Sequence, residues 1–341
     1  MKQSILDLIN ISTYAGDRVD YTQGGGGNTS VKCDNGLMLI KASGFRLIDI
    51  TENTGFVAVD CKKIKDYYNQ VDLSVKKDYE KESAEVSKSS VVELEGLPVL
   101  RPSVEVGFHA ILKKYVVHTH SVYANLITCA VKGESLAQEI FAGADYGYIF
   151  LPYINPGFTL TLKMKEAINN YVAQTGKYPE VIFMKNHGLV INADTVERVK
   201  KIHTDVNDRI MKYFALPDNF RKVELVEDNG AWISKTENVK KYTSELNFTK
   251  ELLDKYPLYP DQLVYLNNLI ANTPEKMVVG SEVKYNCELK EARTLEETFV
   301  AYLFVVANLK KAGLEISVMN EEEVGFINGW EAEKYRRSVA K

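Results

Sequence analysis

Apolar and polar positions along this chain fall into two rhythms. Period-two or short continuous apolar stretches mark strands. Ser30-Val-Lys-Cys33 alternates, Leu37-Met-Leu-Ile-Lys41 follows it, and Asp34-Asn-Gly36 lies between them, which predicts a β-hairpin with that tripeptide at its tip. Tyr115-Val-Val-His-Thr-His120, Val181-Ile-Phe-Met184 and Leu189-Val-Ile-Asn192 predict three more strands. Helical spacing covers residues 1–15, with Ile5, Leu6, Leu8 and Ile9 on one side, and recurs at 121–130, about 159–174 and about 194–214. Pro102-Ser103 reads as a helix start, with Phe108, Ile111 and Leu112 as the buried side and Glu105 in the first turn. Residues 72–96 are dense in Lys, Glu and Ser and read as a solvated helix or an exposed excursion without chemistry.

These elements predict an α/β unit over residues 1–218. After Leu216-Pro217-Asp218 the pattern is less regular. Helical pieces are predicted near 238–254, Asp261–Asn272 and 293–312, short strands near 276–279 and 282–287, and an amphipathic terminal helix over Asn328–Arg337. Residues 219–341 are therefore expected to form a C-terminal extension that packs on the main domain or on a neighbouring subunit.

Composition narrows the class. With 341 residues, 45% hydrophobic and 26% charged, the chain can bury a sizeable core and reads as an ordinary soluble protein. A net charge of −4 gives no electrostatic case for nucleic acid or an anionic membrane. No apolar run reaches the length of a membrane span, and the N-terminus lacks a secretory-signal pattern. Four scattered cysteines without a CxxC suit reduced thiols in a cytoplasm, with Cys129 a small buried hydrophobe.

Candidate chemistry sits where histidines are concentrated. The chain has five, and three lie at His118, His120 and His187. Side chains at i and i+2 of a strand share one face, so His118 and His120 can present two nitrogens to one ion. A catalytic zinc site wants a third protein ligand and an open position, and Asn186-His187-Gly188 supplies a candidate. Two half-buried strand histidines are the plainer alternative. His109, four residues after Glu105, is expected to pack or to orient groups around such an ion. His203 is expected to be a surface or packing residue. Gln23-Gly-Gly-Gly-Gly-Asn-Thr-Ser30 is either a flexible loop or an anion cradle of exposed amides, aided by Asn28 and Ser30. It leads into a strand, so it is neither a Rossmann fingerprint nor a P-loop.

Taken together, Gly-Gly-Gly-Asn28-Thr-Ser-Val-Lys32, Lys41-Ala-Ser-Gly44-Phe, Pro102-Ser-Val-Glu105, Val117-His118-Thr-His120, Pro152-Tyr with Pro156-Gly-Phe158, and Asn186-His187-Gly188 resemble the class II aldolase/adducin family. The nearest likeness is to the aldolase region of bifunctional rhamnulose-phosphate aldolase/dehydrogenase proteins. It spans residues 10 to 200, with further likeness at Tyr259-Pro-Asp261 and around Trp330. The resemblance implies a layered α/β/α fold with a central, mainly antiparallel sheet. It implies that His118, His120 and His187 bind one divalent metal, usually zinc, and that Glu105 is the catalytic acid/base. Gly27, Asn28, Ser43, Gly44 and Ser103 match positions that hold a substrate phosphate. Val104 stands where some of those aldolases carry a second serine, which removes a hydroxyl from that wall.

The implied activity is a metal-dependent retro-aldol/aldol carbon–carbon lyase acting on a sugar or ketose 1-phosphate, with the metal stabilising an enediolate. A sugar-phosphate 4-epimerase or a sugar-acid decarboxylase could use the same scaffold, although such epimerases tend to carry Asp where this chain has Glu105. A non-catalytic, adducin-like interaction module would be expected to have lost the triad or the glutamate. By the same likeness the partners are a small sugar substrate and further copies of the chain, as a homo-oligomer of four.

Overall fold

The computed structural model describes residues 1–218, 220, 222–267 and 273–329. Eight strands form the main sheet: β1 Asn28–Lys32, β2 Leu37–Lys41, β3 Phe56–Asp60, β4 Val91–Val92, β5 Tyr115–Thr119, β6 Gly147–Leu151, β7 Pro179–Met184 and β8 Gly188–Ala193. Their order is β4-β3-β2-β1-β5-β8-β7-β6. Every neighbouring pair is antiparallel except β6 with β7. The predicted hairpin is present as β1 and β2, with Ser30 opposite Ile40 and Gly36 at φ 86° in the turn.

Helices cover both faces of the sheet, so its strands carry apolar side chains on both sides. Val31, Leu39, Val117, Val181 and Ile191 face one layer, which includes the helices Lys2–Gly16, Val122–Thr128 and Val196–Tyr213. Met38, Ile40, Val57 and Val59 face the other, against Cys61–Gln70 and Val106–Ile111; Val116, Ile182 and Val190 do so against Val106–Ile111 and Phe158–Thr175. His118 follows Val116 by two residues and shares its face. That alternation carries the histidine toward the helix that Glu105 precedes.

The described C-terminal residues share a core with the first layer. A helix over Leu289–Lys311 is buried along most of its length, and Phe304 meets Tyr123 edge-on at 5.8 Å. Backbone bonds join the two parts as well: Val131 N to Glu315 O at 3.0 Å and Ser317 N to Cys129 O at 2.8 Å. A second sheet, of order β11-β12-β10-β9, comprises β9 Leu225–Asp228, β10 Ala231–Ser234, β11 Met277–Val279 and β12 Val283–Tyr285.

The structure differs from the sequence reading at several elements. The helix expected to start at Pro102 starts at Val106, because residues 101–102 run beside the end of β2: Ser43 N donates to Arg101 O and Pro102 bridges Ala42. The single helix near 238–254 is two, Glu237–Leu246 and Lys250–Lys255, separated by left-handed Asn247. Of the expected helix Asp261–Asn272, Gln262–Asn267 is a π-helical turn and residues 268–272 lie outside the described residues. Residues 72–96 contain the helix Tyr79–Ser89, and β4 follows it as an edge strand. The helices Cys61–Gln70 and Gly133–Ile140 and strands β3, β4, β6, β9 and β10 were not expected. The terminal helix expected over 328–337 lies outside the described residues from Trp330 onward; Glu321–Gly329 is helical.

Candidate metal centre

Strand pairing brings the site together. His118 at the end of β5 lies opposite Asn28 of β1 and opposite Val190 of β8. His120 follows on the same face as the chain leaves β5. His187 sits in the tight connection between β7 and β8, after Asn186 at φ 51°. The Asn186 side chain is held from the C-terminal part: Nδ2 donates to Leu258 O and Ser317 O at 2.8 and 2.9 Å, and Ser317 Oγ donates to Oδ1 at 2.9 Å. The three imidazoles converge with ring centroids 4.9, 5.1 and 5.4 Å apart. One nitrogen from each lies within 4.8 Å of the other two, and all three residues are buried.

Hydrogen bonding sets the tautomers. His118 Nδ1 lies 3.0 Å from Leu189 O, which can only accept, so Nδ1 carries the proton. His120 Nδ1 lies 2.5 Å from Asp261 Oδ2 and donates likewise. In the neutral form of both rings the Nε2 atoms are lone-pair acceptors, and they face each other at 3.1 Å, a separation that a shared proton or a metal ion bridges. Two acceptors that close repel unless a cation lies between them. Nitrogens bonded to one tetrahedral zinc at the usual bond length are about 3.3 Å apart, so the donor set fits such an ion. Burial pushes His118 down to about 4 and His187 down to about 3, which keeps both imidazoles neutral at physiological pH.

Glu105 completes the cluster. It occupies the N-cap position of Val106–Ile111 without capping it; its side chain turns instead toward His187 Nε2 at 3.3 Å and His118 Nε2 at 3.5 Å. Burial alone would raise its pKa; the coulombic pull of the His118 and His187 rings when they carry a proton, with the Asn28 amide, outweighs burial and lowers the carboxyl to about 2. Asn28 Nδ2 donates to Glu105 Oε2 at 2.6 Å and to Ser103 Oγ at 3.1 Å. The Asn28 carbonyl oxygen therefore faces His109 Nε2, which must donate, while Ser30 Oγ donates to His109 Nδ1 at 2.7 Å. His109 is thus an orienting residue and no ligand. Of the two readings of His203, the packing one holds: it is fully buried behind β5, 2.9 Å from Thr119 Oγ1.

One cavity gathers the remaining candidates. Gly27, Asn28, Ser43, Gly44 and Ser103 line it together with Val104, Glu105, His120 and His187. Gly27 has φ 64°, and a Cβ there would run into His118 O, so the loop can press against β5 only as glycine. Lys41, which the sequence offered within the stretch Lys41-Ala-Ser-Gly44-Phe, and Pro260 also line it. Lys41 reaches the cavity with Nζ donating to Phe45 O at 2.7 Å and Gly25 O at 3.2 Å. Pro260 arrives from the C-terminal part, next to Asp261. Lys41 was visible as a cation in a small-residue turn, whereas nothing local to Tyr259-Pro-Asp261 signals a contact with His120.

Residues 7–209 match the family model described as Class II Aldolase and Adducin N-terminal domain. The chain belongs to that family. Class II aldolases are metal-dependent, in keeping with a histidine cluster that can hold a metal ion. The N-terminal class II aldolase domain of a conserved protein from Thermoplasma acidophilum is similar in structure, with TM-score 0.50 and 25% identity over 62% of this chain and 94% of that one. An L-fuculose 1-phosphate aldolase is also similar, with TM-score 0.41 and 21% identity over 67% of this chain and 92% of that one. Among curated proteins, the uncharacterized oxidoreductase YuxG of Bacillus subtilis (strain 168) is 32% identical over 139 residues. That match spans 36% of this chain and 19% of the relative's length. Among the described residues, no helix is long and apolar enough to cross a membrane.

Proposed function

We propose that this chain is a metal-dependent carbon–carbon lyase that cleaves a sugar or ketose 1-phosphate by retro-aldol chemistry. His118, His120 and His187 hold one divalent ion, zinc in the simplest case, and Glu105 is the acid/base. The observation that carries the reading is a buried carboxylate that faces the Nε2 atoms of His118 and His187, beside His120, in the floor of a polar cavity. When bound, the ion supplies positive charge that stabilises the enediolate left by carbon–carbon cleavage.

The chain's own residues do the rest. Glu105 Oε1 is buried and has no hydrogen-bond partner, so this oxygen is available to take a proton from substrate or return one to carbon. Oε2 is pinned by Asn28, which fixes the carboxylate plane. Lys41, Ser43, Gly44 and Ser103 form the wall that receives the anionic end of the substrate. Asn28 turns its amide toward Glu105, His109 and Ser103, so the phosphate-holding role falls mainly on the other four residues and on Gly27. In this reading residues 1–218 are the metal-binding domain and 219–341 an extension that completes it. A cytoplasmic homo-oligomer, four-membered by family likeness, belongs to the same proposal.

The test is a screen of the metal-loaded chain against ketose 1-phosphates, unphosphorylated ketoses and keto-acid sugars, with deoxyketose 1-phosphates first because of the likeness to rhamnulose-phosphate aldolase regions. Aldehyde release that falls by on the order of 10²–10⁴ in Glu105→Gln is the expected result. Unchanged turnover in that variant removes Glu105 from the acid/base role.

A further inference from the structure

The C-terminal part reaches the His120 ring through the carboxylate of Asp261. Asp261 is fully buried, and its Oδ2 lies 2.5 Å from His120 Nδ1. The residue lies some fifty positions beyond the last one that the family model matches. Its place is fixed by several contacts. Gln262 beside it accepts from Leu258 N at 2.7 Å and donates to Leu253 O at 3.2 Å. Leu258 O in turn receives the Asn186 amide, so the same short segment touches the residue before His187. From the opposite side Gly26 packs so closely that a Cβ there would collide with both Asp261 Oδ2 and His120 Nδ1. That glycine loop is itself held from the C-terminal part, with Gly24 N donating to Glu297 Oε2 at 2.8 Å and Arg46 paired with the same carboxylate at 2.6 Å.

We propose that Asp261 is a positioning residue of the metal centre: by accepting the His120 Nδ1 proton it fixes the ring's orientation and makes Nε2 the ligand atom. A carboxylate behind a ligating histidine also raises the basicity of the nitrogen that binds the metal. His118 has a backbone carbonyl behind it, whereas His187 Nδ1 is buried without a hydrogen-bond partner. His120 is therefore the ligand with a charged support, and that support comes from outside the matched domain. Residues 257–262 are part of the site's construction and not an appendage to it.

The inference rests on the triad's reading as a metal centre, and the experiment separates the two. Cobalt(II) affinity of the full chain is measured by competition with a chromophoric chelator, together with the ligand-field absorption of the bound ion. Asp261→Asn is compared with Tyr285→Phe, which removes the buried 2.5 Å contact with Glu296 elsewhere in the C-terminal part. Asp261→Asn is expected to weaken cobalt binding on the order of 10–100-fold and to alter the absorption bands. Tyr285→Phe should lower thermal stability and leave both readings unchanged. Equal affinity and an unchanged spectrum in Asp261→Asn overturn the proposal. Absence of cobalt binding by the wild-type chain overturns the metal reading, and this inference with it. If Asp261→Asn does not fold, histidine-selective ¹⁵N NMR of the zinc-loaded wild-type chain decides: a protonated His120 Nδ1 supports the proposal, and an unprotonated one overturns it.

Discussion

Asn28 and Glu105, 77 positions apart in the chain, are joined by a 2.6 Å hydrogen bond from the asparagine amide to the carboxylate. Antiparallel pairing of β1 with β5 puts Asn28 beside His118, so one residue lies against both the acid/base candidate and a ligand candidate. A hydrogen bond to a charged group is worth about 1.5–3 kcal/mol, and its loss also leaves the His109 N–H without its acceptor. Asn28→Ala is expected to lower kcat on the order of 10–100-fold, from that energy, with KM changed little. Steady-state kinetics on the substrate found by the screen provide the check. A raised KM at unchanged kcat would place Asn28 in phosphate binding instead.

His203 gives a pH signature separate from the metal centre. Burial pushes it down to about 3, whereas an unfolded histidine titrates near its ordinary 6.5. The unfolded chain therefore binds the extra proton between those values, and stability falls as pH drops below 6.5, until the folded-state value is reached. The slope is about 1.4 kcal/mol per pH unit for one such group. Urea unfolding of metal-free protein at pH 7.5 and pH 5 should show the His203→Gln variant losing about 1–2 kcal/mol less than wild type over that interval. Equal losses would mean that His203 is protonated in the folded protein.

Phe304 tests whether the C-terminal residues share one core with the N-terminal ones. Its ring lies edge-on to Tyr123, Phe220 and Tyr242, at 5.8, 4.8 and 6.0 Å. Phe304→Ala should cost about 3–5 kcal/mol as a cavity is left behind. Thermal unfolding should remain a single transition at a lower midpoint. A second transition, with the first 218 residues unaffected, would show two independent units.

Strands β1, β2, β5, β7 and β8 were legible because each carried its own local signal, whereas β3, β4 and β6 were not read as strands. The hairpin was set by Asp34-Asn-Gly36 and the apolar run after it, and β5 and β7 by β-branched and aromatic residues. The three histidines were legible for a similar reason: two share a strand face by spacing alone, and the third follows an apolar strand. The start of the helix after Pro102 was misread because the backbone there bonds to β2, a partner 60 residues away that no local pattern reveals. The same limit hid Asp261. Its chemistry depends on a contact 141 positions distant with His120, and a single aspartate after a proline carries no sign of it. β9 and β10 flank Asn229-Gly230, a turn signal that was present, but their alternation is short and half exposed.

The chain's metal content tests the central claim most directly. Full-length protein, stripped with chelator and reconstituted with zinc, cobalt or manganese, is measured by elemental analysis after gel filtration. The expected result is one tightly held divalent ion per chain, lost in His118→Ala, His120→Ala and His187→Ala variants that remain folded by circular dichroism. Wild-type protein that retains no ion under those conditions, or triple-alanine protein that retains as much as wild type, would contradict the account.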